Sequence, residues 1–387
     1  MSPIHLSLSS LKNICSAQGT PYHEVCYDDS YGNVLRRRFS DVDVLQIPTP
    51  YVCCGLVKDT NVFANTFVHT LENDCVFHGQ SIHISPQSVT AYAENFIGSR
   101  QDSLFQSFVE EECVFLGGLS VNPDPDRTAG FHFVGNFENF VCEFLVRMAI
   151  FELYGLTERL PLVIHDELPE TWIDYICMAG GSRQHLIRIP AARTQAYRKV
   201  WVASSGRTRD QNGRERLWDA GIHWLRYKVL QSIGGPRLSP RRRIFLRSGD
   251  MSTHRLVNEE EIALILAQHG IEAVEISKLP AREQVEIVSG AELIVATADT
   301  SGLSWFAPEH CASIILTPKD ADTGLWAGAG PAAFLRQPYE QLGCVEVESV
   351  SPHKLAALKV DPEALRNLIQ TALGVVDCSH TGDAIRI

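Results

Sequence analysis

Polar residues follow two predicted strands in the second half of the chain. The stretch "LRSGD" (246–250) overlaps the end of the strand "RIFLR", and "TADTSG" (297–302) overlaps the end of the apolar run "ELIVAT". A short helix is predicted after the second stretch, and its first N–H groups lack helical partners and carry the positive end of the helix dipole. Such a position suits an anion, and arginine forks match phosphate oxygens. We therefore predict a diphosphate site that contains Arg247, Ser248, Thr300, Ser301 and Gly302 of these stretches, together with Arg255 of the loop "LRSGDMSTHRLVNEEE" (246–261).

An ordinary polar loop remains the alternative for each stretch. No G-x-G-x-x-G fingerprint or Walker sequence is present, so neither stretch alone defines a nucleotide site. The missing glycine fingerprint also counts against a dehydrogenase. Two such stretches at the ends of strands in one sheet favour a nucleotide site more strongly than either does alone.

A second candidate site lies on the predicted helix "ENFVCEFLVRMAIFELY" (138–154). Its apolar residues recur at helical spacing, while Glu143 and Arg147 stand four residues apart near the apolar stripe. They form either a helix ion pair of a few tenths of a kcal/mol or a functional pair in which Arg147 keeps Glu143 ionised. Histidines 132, 165 and 223 are candidate bases, with a structural role as the alternative. The arginine-rich loop "SSGRTRDQNGRER" (204–216) is either a solvated face or a mobile lid that grips phosphate.

Strand and helix alternate after the predicted linker "GGPRLSPRRR" (234–243). The order "RIFLR", "NEEEIALILAQHG", "IEAVEI", "PAREQVEIVSGA", "ELIVAT", "SGLSWFAP" and "ASIILTP" predicts a parallel, doubly wound sheet. In such sheets ligands bind beyond the carboxyl ends of the strands. We predict an N-terminal domain over 1–235, a Rossmann-like domain over 240–352, and a C-terminal helix and tail over 353–387.

Composition limits the class of protein. The chain has 387 residues, 45% of them hydrophobic, and a formal net charge of −12, which argues against a broad nucleic-acid surface. No uninterrupted apolar run of about 18 residues occurs, so no integral membrane segment is predicted. Eleven scattered cysteines without a C-x-x-C pair fit a reducing cytoplasm better than a disulfide framework. Three Asp-x-Asp triplets (41–43, 124–126 and 320–322) are common in an acidic chain, and no metal site is predicted from them.

Two blocks of the sequence resemble glycosyltransferase family 61, a group that contains many capsular-polysaccharide biosynthesis proteins. The first is "NFENFVCEFLVRM" (136–148), which matches the family's pattern of Asn, an aromatic residue, then an acid and an Arg on a helix. The second runs from "RIFLRSGD" through "HRLVNEEEI" and "LPAREQVEIVSGAELIVATADTSGLSWFAP". It is similar to the family's strand with a Ser-Arg end, its Arg-x-x-Asn-Glu helix start and its HGAGL-type loop.

The sequence departs from the family pattern at three places. Asn139 and Asp299 stand where the family has histidines, and Arg247-Ser248 reverses its Ser-Arg order. The loss of both histidines bears on the base, the donor and the activity itself.

The resemblance implies a GT-B-type fold, with two Rossmann-like domains whose parallel sheets face an inter-domain cleft. It also implies an inverting, metal-independent glycosyltransferase of hexosyl or pentosyl type, which uses a nucleotide sugar and a saccharide or other hydroxyl acceptor and needs no cofactor. Residues matched to the donor side include Asn258, Glu259 and Gln284; those on the acceptor side are Asn136, Asn139 and Arg147. Glu143 or Asp299 would be the base, with Glu143 preferred. The alternative is a non-catalytic nucleotide-sugar-binding or scaffold protein of polysaccharide assembly. Donor, acceptor, linkage and any oligomer stay open.

Overall fold

The structure is a computed structural model of the chain. It describes residues 7–8, 10–26, 31–39, 42–63, 67–70, 75–78, 109, 111–117, 137–166, 168–190, 194–209, 215–236, 241–247, 254–319, 330–347 and 356–381. The chain divides into two compact units. Unit 1 comprises 1–32, 47–135 and 139–228, and unit 2 comprises 33–46, 136–138 and 229–387. Unit 2 is therefore discontinuous, because a segment from the first fifty residues belongs to it.

Unit 2 is built on a nine-stranded sheet. Its strands are β3 (Tyr31–Arg38), β4 (Val42–Pro48), β14 (Arg242–Arg247), β15 (His254–Leu256), β16 (Glu272–Glu275), β17 (Ala291–Thr297), β18 (Ala312–Pro318), β19 (Pro338–Val347) and β20 (Ala356–Lys359). The order is β15-β20-β19-β18-β17-β14-β16, and β3 pairs with β19 and with β4. Five strands run parallel as β16-β14-β17-β18-β19. Strand β14 lies between β16 and β17. The chain places β16 on one side of β14 and then continues the sheet from the other side with β17. The direction of winding therefore reverses between β14 and β17.

Helices in unit 2 connect these strands and cover the sheet. They are α6 (Glu259–Gln268), α7 (Ala281–Ser289), α8 (Gly330–Phe334) and α9 (Pro362–Thr381), with 3-10 turns at Ile276–Lys278 and Ser301–Phe306. Fully buried strands such as "AELIVAT" and "ASIILTP" read as continuous apolar runs, as expected for a parallel sheet. Apolar residues of α6 and α9, including Ile265 and Ile369, share a core with Phe245 and Leu316 of the strands.

Unit 1 contains a mixed nine-stranded sheet and a separate hairpin. The strands of the sheet are β1 (Ser7–Leu8), β2 (Tyr22–Cys26), β5 (Val52–Phe63), β6 (Phe67–Thr70), β7 (Cys75–His78), β8 (Cys113–Phe115), β9 (Leu162–His165), β10 (Leu186–Ile189) and β11 (Thr194–Ala203). The order is β1-β7-β6-β5-β11-β8-β9-β10, with β2 on β5. Strands β11, β8, β9 and β10 are parallel, whereas β5, β6 and β7 continue the sheet as antiparallel strands.

The helices of unit 1 flank this sheet. They are α1 (Leu11–Gln18), the end of α2 (Phe137–Asn139), α3 (Arg147–Leu153), α4 (Glu170–Met178) and most of α5 (Asp219–Ser232), with a 3-10 turn at Arg183–His185. A π-helical turn, Phe140–Leu145, joins α2 to α3. Ser10 caps α1 by accepting a hydrogen bond from the Asn13 backbone N–H, and Gly19 ends it at φ +60°.

The predicted mixed α/β class with parallel strands is confirmed in both units, but two local predictions are wrong. The predicted loop 204–216 contains β12 (Arg207–Arg209) and the start of β13 (Glu215–Leu217), which pair as a hairpin. The predicted C-terminal helix is preceded by β20, which pairs with β15 and β19. The strands β12, β13 and β20 are only three or four residues long and need neighbours to form, so local periodicity does not reveal them. The domain bounds 1–235, 240–352 and 353–387, and the facing GT-B arrangement, stay predictions.

No helix among the described residues combines the length and the apolarity needed to span a membrane. The three Asp-x-Asp triplets all include residues outside the described part of the chain.

Candidate active site

The ends of β14 and β17 lie side by side in unit 2. Leu246 pairs with Ala296 across the two strands, and the Thr300 hydroxyl lies 3.3 Å from the Leu246 carbonyl oxygen, to which it donates. Arg247, which follows Leu246, is therefore close to the "TADTSG" turn. This is the point where the direction of winding reverses, and in open parallel sheets ligands bind at such a point.

The turn after β17 is held by its own polar groups. The Thr300 backbone N–H donates to the Thr297 carbonyl oxygen at 3.1 Å, and the Ser301 hydroxyl donates to the Ala298 carbonyl oxygen at 2.9 Å. Both side chains are buried, whereas Asp299 between Ala298 and Thr300 is half-buried. The two hydroxyl groups thus stabilise the turn through hydrogen bonds to backbone carbonyl oxygens. Asp299, which was also predicted as a site residue, is partly exposed to solvent.

Gly302 is required by a close backbone approach. A Cβ at this position would lie 2.8 Å from the backbone nitrogen of Glu138 and 3.0 Å from its Cα. No larger residue fits unless one backbone segment moves. Gly302 belongs to the 3-10 turn Ser301–Phe306, which is entirely buried. Trp305 of the same turn contacts the Phe334 ring.

Arg247 is engaged by two carboxylates. Its Nη2 donates to Glu259 Oε2 at 2.9 Å and to Glu260 Oε1 at 2.5 Å. The hydrogen bond that Arg247 donates to Glu259, with a smaller contribution from the one to Glu260, holds the pKa of the Arg247 guanidinium above its ordinary value. The predicted donor-side residues Arg247 and Glu259 therefore contact each other directly, as an ion pair at the first turn of α6.

Two other predicted donor residues make structural hydrogen bonds. The Asn258 side chain donates to the Val360 carbonyl oxygen at 3.0 Å and accepts from the Val360 N–H at 3.1 Å, which ties α6 to the chain after β20. The Asn258 side chain makes no capping bond to the backbone of the first turn of α6, but it donates to Glu261 Oε2 at 3.1 Å. Gln284 Nε2 donates to the carbonyl oxygens of Ile276 and Leu279, both at 2.9 Å. Ser248, Asn136 and the side chain of Arg255 lie outside the described residues.

The predicted acceptor-side residues occupy the π-helical turn of unit 1. The Val146 N–H donates to the Val141 carbonyl oxygen at 3.1 Å, which is the wider i to i−5 pattern of a π-helix. Glu143 is fully buried on this turn, and Asn139 and Arg147 are 7% and 2% exposed. Single π turns inside α-helices are often found at functional sites.

Arg147 reaches the carboxyl end of β8. Its Nη1 donates to the Gly117 carbonyl oxygen, two residues after β8 ends. Burial lowers the pKa of the Arg147 guanidinium to about 10, although the nearby Glu143 charge acts in the opposite direction. Arg147 therefore remains a cation at neutral pH although it is almost fully buried.

Other buried polar residues lie at the same edge of the unit 1 sheet. Arg207 follows β11 and donates from Nη1 to Asn139 Oδ1 at 3.2 Å, and its backbone N–H donates to the Ser205 hydroxyl at 3.2 Å. His165 ends β9, and it lies level with Gly117 because Phe115 pairs with Val163 two residues earlier. Sequence reasoning named Arg207 only as part of a polar loop. The predicted strand "KVWVASS" (199–205) ends just before Gly206 and Arg207, and this position could have indicated that Arg207 lies at the end of a strand.

The residue before the hairpin, Gly206, packs closely against the π-helical turn and the residue after it. A Cβ on Gly206 would lie 2.4 Å from Val146 Cγ1 and 3.0 Å from the Cys142 carbonyl oxygen. This close approach brings the start of β12 to Asn139 and fixes where the Arg207 guanidinium lies. Phe140 on the same turn stacks on Trp172 of α4, with ring centroids 4.2 Å apart.

One comparison with known protein families agrees with the resemblance seen in the sequence. Residues 137–304 match a family model described as Glycosyltransferase 61. No curated protein matches the chain. The matched segment begins at α2 and ends inside the 3-10 turn after β17, so it includes both groups of residues described above. Over residues 137–304 the chain is therefore similar to glycosyltransferase family 61.

Proposed function

We propose that the chain is an inverting, metal-independent glycosyltransferase of hexosyl or pentosyl type. It would transfer a sugar from a nucleotide-sugar donor to a hydroxyl group of a saccharide or other acceptor. The match of residues 137–304 to the Glycosyltransferase 61 model carries this proposal. We further propose that the protein acts in polysaccharide biosynthesis in the cytoplasm, where a reducing environment would keep free thiols such as those of the described cysteines.

In this proposal the donor diphosphate binds at the ends of β14 and β17. Arg247 supplies the guanidinium, and phosphate oxygens replace Glu260 as its partner. This exchange costs little because the Glu260 side chain is 79% exposed, and exposed ion pairs contribute at most about 1 kcal/mol. Glu259 stays in place and keeps the Arg247 side chain oriented toward the strand tips.

The transfer needs one base and one site for a leaving anion. The acceptor oxygen attacks the anomeric carbon while the bond from that carbon to the diphosphate breaks. The proton of the acceptor hydroxyl passes to a carboxylate, and the diphosphate leaves with the bonding electron pair. Fixed N–H dipoles and a guanidinium stabilise the departing anion by electrostatics.

Accessibility favours Asp299 over Glu143 as that base. A general base must come within about 3 Å of the hydroxyl proton that it removes, directly or through one water. Asp299 is half-buried beside Thr300, whereas Glu143 has no exposed surface. We therefore propose Asp299 as the base, and we assign the preferred sequence candidate Glu143 to the electrostatics around Arg147.

The experiment measures release of free nucleotide from a panel of nucleotide sugars, with and without saccharide acceptors. We expect Asp299→Asn to lower the turnover by about 10²–10⁴-fold, the usual contribution of a general base. Glu309→Gln is the matched control, because Glu309 is an exposed carboxylate ten residues further along the same unit. Glu143→Gln tests the other candidate base in the same assay.

The outcomes separate the two candidate bases and the two classes of protein. If Glu143→Gln abolishes turnover while Asp299→Asn retains it, the assignment of Asp299 is wrong.

A second candidate function is supported by the replacement of both family histidines by Asn139 and Asp299. Binding of nucleotide sugars without any turnover would favour this non-catalytic scaffold. Nucleoside diphosphates that raise the unfolding temperature would establish binding separately from catalysis.

A further inference from the structure

Two nitrogen donors of Arg147 have no hydrogen-bond partner among the described residues. Nη1 donates to the Gly117 carbonyl oxygen, whereas Nε and Nη2 are buried and make no hydrogen bond within the part of the chain that the structure describes. Nε–H and Nη2–H lie on one edge of the planar guanidinium and point the same way. This edge is the fork that receives the two oxygens of a carboxylate or phosphate.

Such an arrangement is costly without a ligand. A buried donor without a partner loses the hydrogen bonds it makes to water, and the loss is larger for a charged group. Glu143, four residues earlier, influences Arg147 through its charge but does not hydrogen-bond to this edge. The structure therefore holds a cation ready for two acceptor atoms that the described chain does not supply.

The surroundings of the fork are those of a ligand site. Gly117 lies two residues beyond the parallel strand β8, His165 is the last residue of the parallel strand β9, and Arg207 follows the parallel strand β11. Ligands of open α/β sheets bind at this edge. Arg207 adds a second guanidinium there, at 5% exposure, and Asn139 fixes its position. Two cations at one buried edge favour an anion over a neutral group.

We propose that Arg147 binds an oxyanion group of a substrate, through a two-point contact from Nε and Nη2. This inference extends the proposed function, because the group would belong to a substrate of the transfer: the carboxylate of an acidic sugar in the acceptor, or a phosphate of the donor. Arg147 is only 2% exposed, so the anion enters when the chain around the π-helical turn opens locally.

The test measures binding rather than turnover, so it does not depend on the proposed transfer reaction. The full chain is titrated calorimetrically with sodium glucuronate, with inorganic pyrophosphate and with neutral glucose. Arg147→Lys keeps a positive charge and one donor for Gly117 but removes the fork. Arg159→Lys is the matched control, because Arg159 is an exposed arginine of the same unit.

We expect at least one of the two anions to bind, and glucose not to bind. Arg147→Lys should weaken that binding by about tenfold or more, since one charge-assisted hydrogen bond is lost, whereas Arg159→Lys should leave it unchanged. Preference for glucuronate would assign the site to an acidic acceptor, and preference for pyrophosphate to the donor. The proposal is overturned if neither anion binds, or if Arg147→Lys binds both as the unaltered chain does.

A second measurement covers the case in which Arg147→Lys does not fold. Hydrogen exchange of residues 140–153 is followed by mass spectrometry in the unaltered chain, with and without each anion. Binding at Arg147 stabilises the closed form of the π-helical turn and should slow its exchange at least severalfold. Equal exchange with and without both anions would rule the site out. Failure of the transfer assay together with slowed exchange would refute the proposed reaction but keep the anion site.

Discussion

His165 makes the stability of the protein depend on pH in a direction that can be calculated. The residue ends β9 and is 1% exposed. Burial lowers the pKa of its imidazole from 6.5 to about 4, while the neighbouring Asp166 acts weakly the other way. In the folded protein His165 is therefore neutral at pH 5, whereas in the unfolded chain it is protonated at that pH.

The size of the effect follows from the two pKa values. Above pH 6.5 the imidazole is neutral in both states and the free energy of unfolding is unaffected. Between pH 6.5 and 4 the unfolded chain binds a proton that the folded chain does not bind, so the free energy of unfolding falls as the pH falls. The gap between 6.5 and about 4 corresponds to about 3 kcal/mol, at 1.36 kcal/mol per pH unit. Below pH 4 both states are protonated and the loss stops growing.

Urea unfolding of the unaltered chain and of His165→Gln tests this calculation between pH 8 and pH 4. The variant loses the packing of the ring at every pH, but it has no imidazole to protonate. The difference in unfolding free energy between the two proteins should therefore shrink by about 3 kcal/mol from pH 8 to pH 4. His185→Gln removes an exposed histidine of the same unit and reports the effect of this substitution outside the core. A difference between the unaltered chain and His165→Gln that is the same at both ends of this pH range would show that the reasoning is wrong.

Two further substitutions test the packing of unit 2. Gly302→Ala should lower the free energy of unfolding by about 1–3 kcal/mol, because the new Cβ meets backbone atoms at 2.8–3.0 Å, whereas Gly343→Ala, with its nearest atoms at 3.4 Å, should be nearly neutral in the same thermal unfolding experiment. Asn258→Ala removes both side-chain bonds to Val360 and should cost about 1–3 kcal/mol, while Asn367→Ala on an exposed position of α9 should cost less than about 0.5 kcal/mol; equal effects of the two would contradict the structural role given to Asn258.

The sequence predicted the parallel part of unit 2 well because each element is signalled locally. Apolar runs such as "ELIVAT" and "ASIILTP" became buried strands, and "NEEEIALILAQHG" became α6, after which Gly270 adopts φ +72°. The predicted helix "PAREQVEIVSGA" became α7, which begins directly after Pro280. These features depend on residues that are neighbours in the sequence, so periodicity and turn residues suffice.

The candidate site was less predictable because it depends on distant contacts. Gln284 and Asn258 match the family pattern, yet their side chains bind backbone groups of other segments. The spacing of apolar residues predicted a continuous helix through Glu143 and Arg147, and it gave no sign of the π-helical turn. The contact of Arg207 with Asn139 joins residues 68 positions apart, and no local pattern indicates it. Which groups are already satisfied, and which are left for a ligand, becomes clear only from the folded chain.

The pairing of β3 with β19 has a consequence for how the protein must be made. Arg37 lies opposite Pro338, so about 300 residues of synthesis separate the two partners. At roughly 5–20 residues per second, the ribosome needs about 15–60 s to deliver the second strand, and β3 waits unpaired on that side throughout. A gene fragment that starts at residue 229 would lack this neighbour altogether and leave the first part of β19 as an open edge, which invites association between copies. Expression of the second half as an isolated domain should therefore give aggregates unless residues 33–46 are supplied with it.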